Sequence, residues 1–409
     1  STTVSTSAVV AYQNVYVSSS GNDSSGNGSS SKPYATIAKA YTKVKSGGSV
    51  ILLSNLTQTS QANFNTSGKS VTLKSNGSSI YTITRGSGLT SGSIISFYNS
   101  STTTITNVKF NGNNVSSNKP LLISSVSATV NLNSGVTIQN ALNTAAYSAG
   151  GFSALSSSTL NINGATITSN KSNNQGAGIY VGGASLNFNS GTISNNSFTT
   201  SNGSGAGILG WQATVNIKGG TISGNTATSE GGGIWVGGNS GKMTFNMTAG
   251  TITGNKAYFG GGISIRSDTT ATKTIGTISG GTISSNNASH GGGGVNLGKS
   301  VVTINNINIT SNNAQWGAGI SITYGATLYF KGGTVQNNIA SSSAAGIDVG
   351  SGTEGGPNHL YIQGGNVINN KCTVSTGIGG INVNTSSGST YTHSSGTVSG
   401  NIPNNTGSW

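Results

Sequence analysis

One phrase returns along most of this chain: Gly-Gly-Thr-Ile-Ser-x-Asn, a short variable stretch, and then Gly-Gly-Gly-Ile. A clear copy occupies residues 219–225 and 231–234. One copy, centred on Ile138, has Ala141 in the Asn position. In the other copies an Asn follows the central apolar residue by three positions, at Asn113, Asn170, Asn196, Asn225, Asn255, Asn286, Asn312, Asn338, Asn370 and Asn401. The period of about 29 residues predicts a solenoid, in which each unit is one coil of a continuous rod.

Each unit contains three short stretches in which apolar and polar residues alternate. In one unit they are residues 215–217, 221–223 and 234–236, and Gly and Asn lie between them. Period-two alternation indicates strands, and Gly and Asn indicate turns. Three strands per coil with no helix between them predict an all-β, single-stranded parallel β-helix of about 12 coils. Inward Ile, Val, Leu and Phe side chains should form its core.

We expect the repeated Asn and Gly residues to be structural. Asn tolerates a left-handed backbone, and its amide can hydrogen-bond the equivalent Asn one coil away. The recurrent positions therefore predict a structural Asn ladder. The Gly triplets, such as residues 231–233 and 260–262, allow positive φ and close approach at a corner. No helix follows them, so they do not predict a phosphate-binding loop.

Composition limits the classes of partner. The chain of 409 residues has 65 Gly, 18 Lys and Arg, five acidic residues and a net charge of +13. The basic residues are scattered, with no cluster beyond Lys39, Lys43 and Lys45. This distribution disfavours nucleic acid and suits anionic cell-surface polysaccharide or self-association. No run of 18 apolar residues is present, so no membrane span is expected.

The first part of the chain differs from the repeats. Pro33 and the run from Tyr34 to Lys45 predict a helix, and residues 50–53 predict a strand. This helix would cover the open core of the first coil. We therefore divide the chain into an N-terminal extension (1–13), a strand with a capping helix (14–53), the β-helix (54–402) and a C-terminal tail (403–409).

Two sets of residues carry a resemblance to known families. Residues 15–23, 32–37 and 47–51 resemble the N-terminal cap of secreted right-handed β-helix proteins of the pectate-lyase-like superfamily. The Gly-Gly-Gly-Ile and Thr-Ile-Ser-x-Asn phrases resemble the repeats of polymorphic outer-membrane adhesins and related bacterial surface proteins. The resemblance implies a right-handed coil and a secreted bacterial protein at the cell surface, from which a signal peptide has been removed. It specifies function poorly, because such folds carry lyases, hydrolases, adhesins and tail fibres.

Candidate catalytic groups are few. Glycoside hydrolysis needs a pair of carboxylates, and no pair occupies equivalent positions of adjacent coils. The histidines lack metal-ligand spacing, and His393 falls in an inward position, which predicts a packed imidazole. We therefore expect no enzymatic activity, no metal and no cofactor. The groups considered are Asp23, Glu230, Asp268, Asp348, Glu354, His290, His359 and His393.

Outward-facing side chains vary more, and they are the candidate binding residues. Tyr180, Leu209 and Trp235 occupy equivalent outward positions of consecutive coils, with Trp211 two residues beyond Leu209. They predict an exposed aromatic and apolar stripe at a coil spacing of about 5 Å. Such a stripe contacts another subunit, stacks on sugar rings, or is covered by a loop. A row of outward Thr-x-Thr and Thr-x-Ser hydroxyls leaves ice binding as a weaker alternative.

The two ends of the rod carry the main functional prediction. Solenoid ends without a cap polymerise, and the predicted helix covers only one of them. The candidate assembly residues are Val9, Val10 and Tyr12 near the start and Trp409 at the other end. We predict a non-enzymatic structural or adhesive extracellular protein that forms filaments by head-to-tail contact. The alternative is a β-helix protein that binds or cleaves carbohydrate.

Overall fold

The computed structural model describes residues 11–241, 243–269, 271–350 and 356–408. These residues form an all-β parallel β-solenoid of about 13 coils of about 29 residues, which confirms the predicted fold class. Successive coils pair in parallel and in register, so that Ile193 lies beside Ile222 and Ile222 beside Ile252. The central apolar residues on which the repeats align in sequence therefore also lie side by side in the structure.

Sheet A is the longest sheet and has 23 strands. A regular coil contributes two strand positions to it, and in some coils both belong to one continuous strand. Its strands are Tyr12–Val17, Val44–Leu52, Leu56–Gln58, Ser70–Ser75, Tyr81–Arg85, Thr102–Thr106, Val108–Asn111, Thr129–Asn133, Thr137–Gln139, Thr159–Thr168, Ser185–Ser194, Thr214–Ile217, Thr221–Ser223, Thr244–Met247, Thr251–Thr253, Thr274–Ile278, Thr282–Ser284, Ser300–Ile304, Asn308–Thr310, Thr327–Phe330, Thr334–Gln336, His359–Ile368 and Thr390–Ser399.

Sheet B has 13 strands. They are Ala62–Phe64, Ile95–Phe97, Leu122–Ser124, Phe152–Leu155, Ile179–Gly182, Ile208–Trp211, Ile234–Gly238, Ile263–Ser267, Val295–Gly298, Ile320–Thr323, Ile347–Val349, Ile381–Val383 and Thr406–Ser408. The last of these strands lies within the segment that the sequence assigns to the C-terminal tail.

Two short sheets of four and five strands, together called sheet C, follow the Asn corners. Their strands are Ser116–Ser117, Leu142–Asn143, Lys171–Ser172 and Ser197–Phe198, and then Lys256–Phe259, Asn287–Gly291, Asn313–Ala314, Ile339–Ala340 and Lys371–Cys372. In a coil the chain thus runs from sheet A through the corner to sheet C, through a loop to sheet B, and back to sheet A. A 3-10 turn, Thr385–Ser387, interrupts this path in one late coil.

The core is a continuous column of apolar side chains between sheets A and B. Ile222 and Ile252 from sheet A are fully buried, and so are Ile208 and Ile234 from sheet B. On sheet A, the sequence neighbours of Ile222 and Ile252 point outward and are Thr and Ser. This strict alternation lets a chain with only 33% hydrophobic residues build a complete core, because nearly every apolar side chain in a strand is removed from water.

A short helix covers the N-terminal end of the core. It spans Ile37–Lys43 and is shorter than the predicted run from Tyr34 to Lys45. Thr36 caps it, and the Asp23 carboxylate accepts a hydrogen bond of 2.7 Å from the Thr36 hydroxyl. An acidic group at a helix N-terminus compensates the unpaired backbone N–H groups there.

Aromatic stacking joins this helix to the first coils. Tyr41 on the helix stacks on the core residue Phe64, with ring centroids 4.2 Å apart. The strand predicted at residues 50–53 is the end of the longer strand Val44–Leu52. Within the described ranges, no helix has the length and apolar character needed to cross a membrane.

The predicted Asn ladder is present, and Asn225 illustrates its bonding. The Oδ1 of Asn225 accepts from the backbone N–H (3.0 Å) and from the Nδ2 (2.9 Å) of Asn196. Its Nδ2 donates to the Ile193 carbonyl and to the Oδ1 of Asn255, both at 3.0 Å. All four bonding positions of this fully buried amide are used. The ladder comprises Asn170, Asn196, Asn225, Asn255, Asn286, Asn312, Asn338, Asn370 and Asn401.

Both ends of the ladder depart from the sequence prediction. Asn113 is exposed and does not belong to it. The corner there is two residues longer, because four residues (112–115) separate Asn111 from Ser116, whereas two (140–141) separate their partners Gln139 and Leu142. Gly112 lies against Ala141, since a Cβ on Gly112 would be 2.6 Å from the Ala141 Cα. At the other end, Asn405 terminates the ladder, because its Oδ1 accepts from the backbone N–H and the Nδ2 of Asn401, both at 3.0 Å.

Candidate functional site

Sheet B has an outer row of side chains that point away from the core, and this row is buried. Its register places Tyr180, Leu209 and Trp235 side by side on successive strands, as the sequence predicts. These residues are only 7%, 1% and 6% exposed, so the prediction of an exposed stripe is wrong. They pack with Ala149 into an apolar cluster outside the main core, and Trp211 packs against it while staying partly exposed.

The segment that precedes each strand of sheet B covers this row. Gly231 has a φ of +65°, and a Cβ on it would lie 2.8 Å from the Cβ of Trp235. Gly205 stands in the same relation to Leu209, with a φ of +64° and a distance of 2.7 Å. Only glycine adopts this backbone without strain and leaves room for the side chain below. The first Gly of the triplet therefore folds the loop back and places Glu230 over Trp235.

A pocket of about 230 Å³ opens above this row. Leu209 and Trp235 form its floor, residues at the ends of the sheet B strands form one wall, and loop residues form the other. The lining residues come from consecutive coils and are Asn174, Gln175, Asn202, Ser204, Leu209, Trp211, Glu230, Trp235, Arg266 and Asp268. The pocket combines indole rings with amides, hydroxyls and charged groups, which can stack on and hydrogen-bond a polar ligand.

Two stacked indoles dominate the pocket. The rings of Trp211 and Trp235 have centroids 5.8 Å apart and planes inclined by 12°. Trp235 is buried, and its Nε1 donates a hydrogen bond of 3.2 Å to the Oε2 of Glu230. Trp235 is therefore fixed in place and supports Trp211 from below. Trp211 is partly exposed at the pocket, where an aromatic ring offers a platform for stacking.

The carboxylate of Glu230 holds several groups of the pocket together. Its Oε1 is ion-paired with the Nη1 of Arg266, and its Oε2 also accepts a hydrogen bond of 2.9 Å from the Ser264 hydroxyl. The two charged side chains are 11% and 26% exposed, Glu230 being the more buried. The Arg266 guanidinium lies over the Tyr324 ring, 4.7 Å from its centroid. Both oxygens of Glu230 are thus engaged by protein donors, and its role is to position Arg266 and Trp235.

Other polar groups of the pocket keep free bonding capacity. Asp268 is exposed, and its carboxylate makes no hydrogen bond to any residue that the structure describes. The Oε1 of Gln175 and the Nε of Arg266 are buried without a partner among those residues. Buried polar atoms in native proteins are normally paired, so each of these is a position where a ligand or ordered water would bind.

Sequence reasoning missed that Glu230 and Asp268 line one pocket. A signal for it is present, because Glu230 immediately precedes a Gly triplet and Asp268 immediately follows the next strand of sheet B, Ile263–Ser267. The loop that folds back at Gly231 and the end of the neighbouring strand both border the pocket. Distance along the chain conceals this proximity, because residues 230 and 268 are more than one coil apart in sequence.

The histidines lie apart from one another. His290 lies in the sheet C strand Asn287–Gly291, and His359 faces outward on sheet A. His393 is in register with the buried Ile362, as aligned, but it is exposed, so the packed imidazole predicted there is wrong. It belongs to the last described coil of sheet A, on which no further described coil stacks. Across the described ranges, no group of three or more His, Cys, Asp or Glu side chains is placed to hold a metal ion.

Asp348 is a buried carboxyl in the outer row of sheet B. Its register partner Asn382 donates a hydrogen bond of 3.3 Å to it. Burial raises the pKa of Asp348 from 3.8 to about 6, and the Asn382 hydrogen bond lowers it by less. Glu354, considered with it in the sequence, lies outside the described residues.

The predicted assembly residues are only partly described. Tyr12 begins the first strand of sheet A and is 40% exposed. Val9, Val10 and Trp409 lie outside the described residues. The outward Thr and Ser rows are aligned on sheet A, where Thr221 pairs with Thr251, and ice binding by this face stays a prediction.

Comparison of the chain with protein-family models, with curated proteins and with solved structures gives no significant match.

Proposed function

We propose that this protein is a non-enzymatic, extracellular structural and adhesive solenoid that binds carbohydrate in the pocket between Trp211 and Arg266. The observation that carries the proposal is the partly exposed Trp211 ring, stacked on the fixed Trp235 and surrounded by amide, carboxylate and guanidinium groups. Sugar rings have apolar faces that stack on indoles and hydroxyls that bond such polar groups. The resemblance to secreted bacterial surface proteins supports a location at the cell surface.

The state of the carboxylates favours binding over cleavage. Hydrolysis of a glycosidic bond uses two carboxyl groups that are both available to the substrate. Glu230 has both oxygens occupied by Arg266, Trp235 and Ser264. Asp268 alone offers an unoccupied carboxylate in the described part of the pocket, which suits hydrogen bonding to sugar hydroxyls.

Binding to defined polysaccharides tests this proposal. Cellulose, chitin and pectin are incubated with the purified protein, and bound protein and newly formed reducing ends are both measured. We expect retention on at least one polymer, loss of retention in Trp211→Ala, and no new reducing ends. Tyr361→Ala is the matched control, because Tyr361 stacks on Tyr329 on the outer face of sheet A, away from the pocket.

Three results would contradict the proposal. Failure of the native protein to bind any of the three polymers would contradict the proposed carbohydrate binding. Equal binding by the native protein and Trp211→Ala would contradict the proposed location of the binding site. Release of reducing ends that depends on Asp268 replaces binding with catalysis.

Head-to-tail assembly is the second function that we propose. Tyr391 and Val398 are in register with Leu360 and Val367 of the preceding coil, which are buried, yet both are partly exposed. The strand Thr390–Ser399 pairs on one side only within the described part of the chain. A cavity of about 490 Å³ is lined by Tyr391 and by Val383 of the neighbouring sheet B strand. Apolar core positions together with an unpaired strand edge favour stacking of a further coil.

The occupant that we propose for this face is the segment 1–13 of a second copy, whose apolar run includes Val9 and Val10. Negative-stain microscopy of the native protein should show filaments, and deletion of residues 1–13 should leave short rods. Filaments of native length formed by the deletion variant exclude this segment as the occupant. Short rods of the native protein at high concentration exclude assembly.

A further inference from the structure

A second aromatic cluster continues the loop wall of the pocket toward later coils. Glu230, Phe259, Gly291 and Trp316 occupy successive positions of this wall, each paired in parallel with the equivalent position of the next coil. The His290 ring lies against both aromatic residues, 5.8 Å from the Phe259 centroid and 5.3 Å from the Trp316 centroid. The wall therefore turns from polar to aromatic immediately beyond the pocket.

A glycine allows these rings to approach each other. A Cβ on Gly291 would lie 2.6 Å from the Nε1 of Trp316 and 3.3 Å from the Cδ1 of Phe259. The absence of a side chain at this wall position leaves room for both rings. Phe259 and Trp316, which are nearly two periods apart in sequence, consequently border the same surface.

Tyr258 adds an exposed ring to the cluster. It is 40% exposed, and it stacks on His290 with centroids 3.6 Å apart. Its hydroxyl is hydrogen-bonded to the Nε2 of His290, and the Nδ1 of His290 is buried without a partner among the described residues. Exposed aromatic surface held in place by neighbouring rings marks a position where another molecule can pack.

We infer that the carbohydrate is a chain of about four or more sugar units that lies parallel to the solenoid axis, from the Trp211 pocket to the cluster of Tyr258, Phe259, His290 and Trp316. The inference rests on the proposed function. Successive coils are separated by about 5 Å, which is close to the advance of a polysaccharide chain per pyranose unit. The wall from Glu230 to Trp316 spans three such steps, about 15 Å. A polysaccharide that runs along the solenoid axis would therefore place one sugar unit over each coil.

Oligosaccharide length separates this inference from the proposed function. Cello-oligosaccharides, chito-oligosaccharides and oligogalacturonides of two and six units are titrated calorimetrically against the full chain. We expect six units of one series to bind about tenfold or more tightly than two units, because the longer chain gains the second aromatic contact. In Trp316→Ala this length gain should disappear while the affinity for two units is unchanged. Trp211→Ala should lose binding of both lengths.

Tyr258→Ala provides a second variant, because its exposed side chain can be removed with less effect on folding than Trp316. It should also reduce the length gain. Equal affinity for two and six units overturns the inference and leaves the pocket as a single-unit site. A length gain that survives in both variants overturns it as well. Absence of binding in all three series overturns the proposed function itself.

Discussion

The Asn ladder offers a direct test of how the rod is stabilised, and Asn225→Ala is the informative change. In the native chain the Asn225 amide accepts two hydrogen bonds from Asn196 and donates one each to Ile193 and Asn255. Alanine removes all four. The backbone N–H and the Nδ2 of Asn196 then lose an acceptor, and the Ile193 carbonyl loses a donor.

The magnitude follows from burial. Asn196 and Asn225 are fully buried, so water has no direct access to the groups left unpaired. Each buried group without a partner costs about 1–3 kcal/mol. Three of them predict a loss of at least about 3 kcal/mol in the free energy of unfolding. Ala141 shows why alanine is accepted elsewhere: it stands at the start of the ladder, and its backbone N–H still donates to the Oδ1 of Asn170, at 3.1 Å.

Asn216→Ala is the matched control, because Asn216 lies in the same coil and also belongs to an Asn row. Its Nδ2 donates to Asn187 at 3.0 Å, and its Oδ1 accepts from Asn246 at 2.8 Å. It is only half-buried, on the outer face of sheet A, where water replaces the lost bonds. We expect a cost of about 1 kcal/mol or less.

The assay combines urea unfolding with native-state hydrogen exchange. Solenoids can open locally, so a single unfolding midpoint underestimates damage confined to one coil. In Asn225→Ala, the amide of Asn196 should exchange far faster than in the native protein, and in Asn216→Ala it should not. Similar unfolding free energies for the two variants would refute the reasoning that the unpaired buried groups set the cost.

Three further changes test individual features. The pKa of Asp348, raised by burial to about 6, means that its stabilising contribution is complete below pH 3.8 and is lost as the pH rises through 6. Asp348→Asn should therefore gain up to about 3 kcal/mol over the native protein at pH 8 but little at pH 4, by urea unfolding. Glu230→Gln should destabilise by about 1 kcal/mol and weaken carbohydrate binding, because Arg266 loses its ion pair. Gly231→Ala should cost more than Gly183→Ala, because both have positive φ but a Cβ on Gly183 meets nothing within 4 Å.

Each of these predictions has a clear contradicting result. A pH-independent difference between Asp348→Asn and the native protein excludes titration of this carboxyl. Glu230→Gln with unchanged binding shows that Arg266 needs no positioning. Equal unfolding free energies for Gly231→Ala and Gly183→Ala show that backbone strain alone, and not contact with the outer row, explains the glycine.

The regular part of the fold could be predicted because it depends on local alternation. Ile222 points inward because its neighbours in the strand are polar, and each coil repeats this pattern of one apolar residue between two polar ones. The corner Asn is also predictable, because the side chain recurs at one spacing and can hydrogen-bond the equivalent Asn of the next coil. The positions of Asn113 and Asn405 could not be predicted, because a corner lengthened by two residues and a turn outside the period both break the alignment that identifies the ladder.

The outer row shows a different limit. Alternation places Trp235 outward correctly, but outward is not the same as exposed. Whether Trp235 meets water depends on the loop ahead of it, and that loop folds back because Gly231 adopts positive φ. The pattern of apolar residues does not contain this information. The Gly triplet contains it, because a glycine with positive φ lets the loop fold back over the outer row.

Covering the outer row also explains how a binding site arises on so regular a scaffold. The loop that buries Tyr180 and Leu209 has to end against the neighbouring coil. In the coil of Trp235, the residue at this end is Glu230, which carries a negative charge. That charge is neutralised by Arg266 from the next strand, which prevents the loop from closing fully and leaves the pocket beside Trp211. Because the inner ladder fixes each coil independently of this loop, the loop sequence can change without loss of the fold. A pocket formed at a break in loop coverage therefore costs the rod little stability, and we expect binding variants of this solenoid to differ in loops rather than in strands.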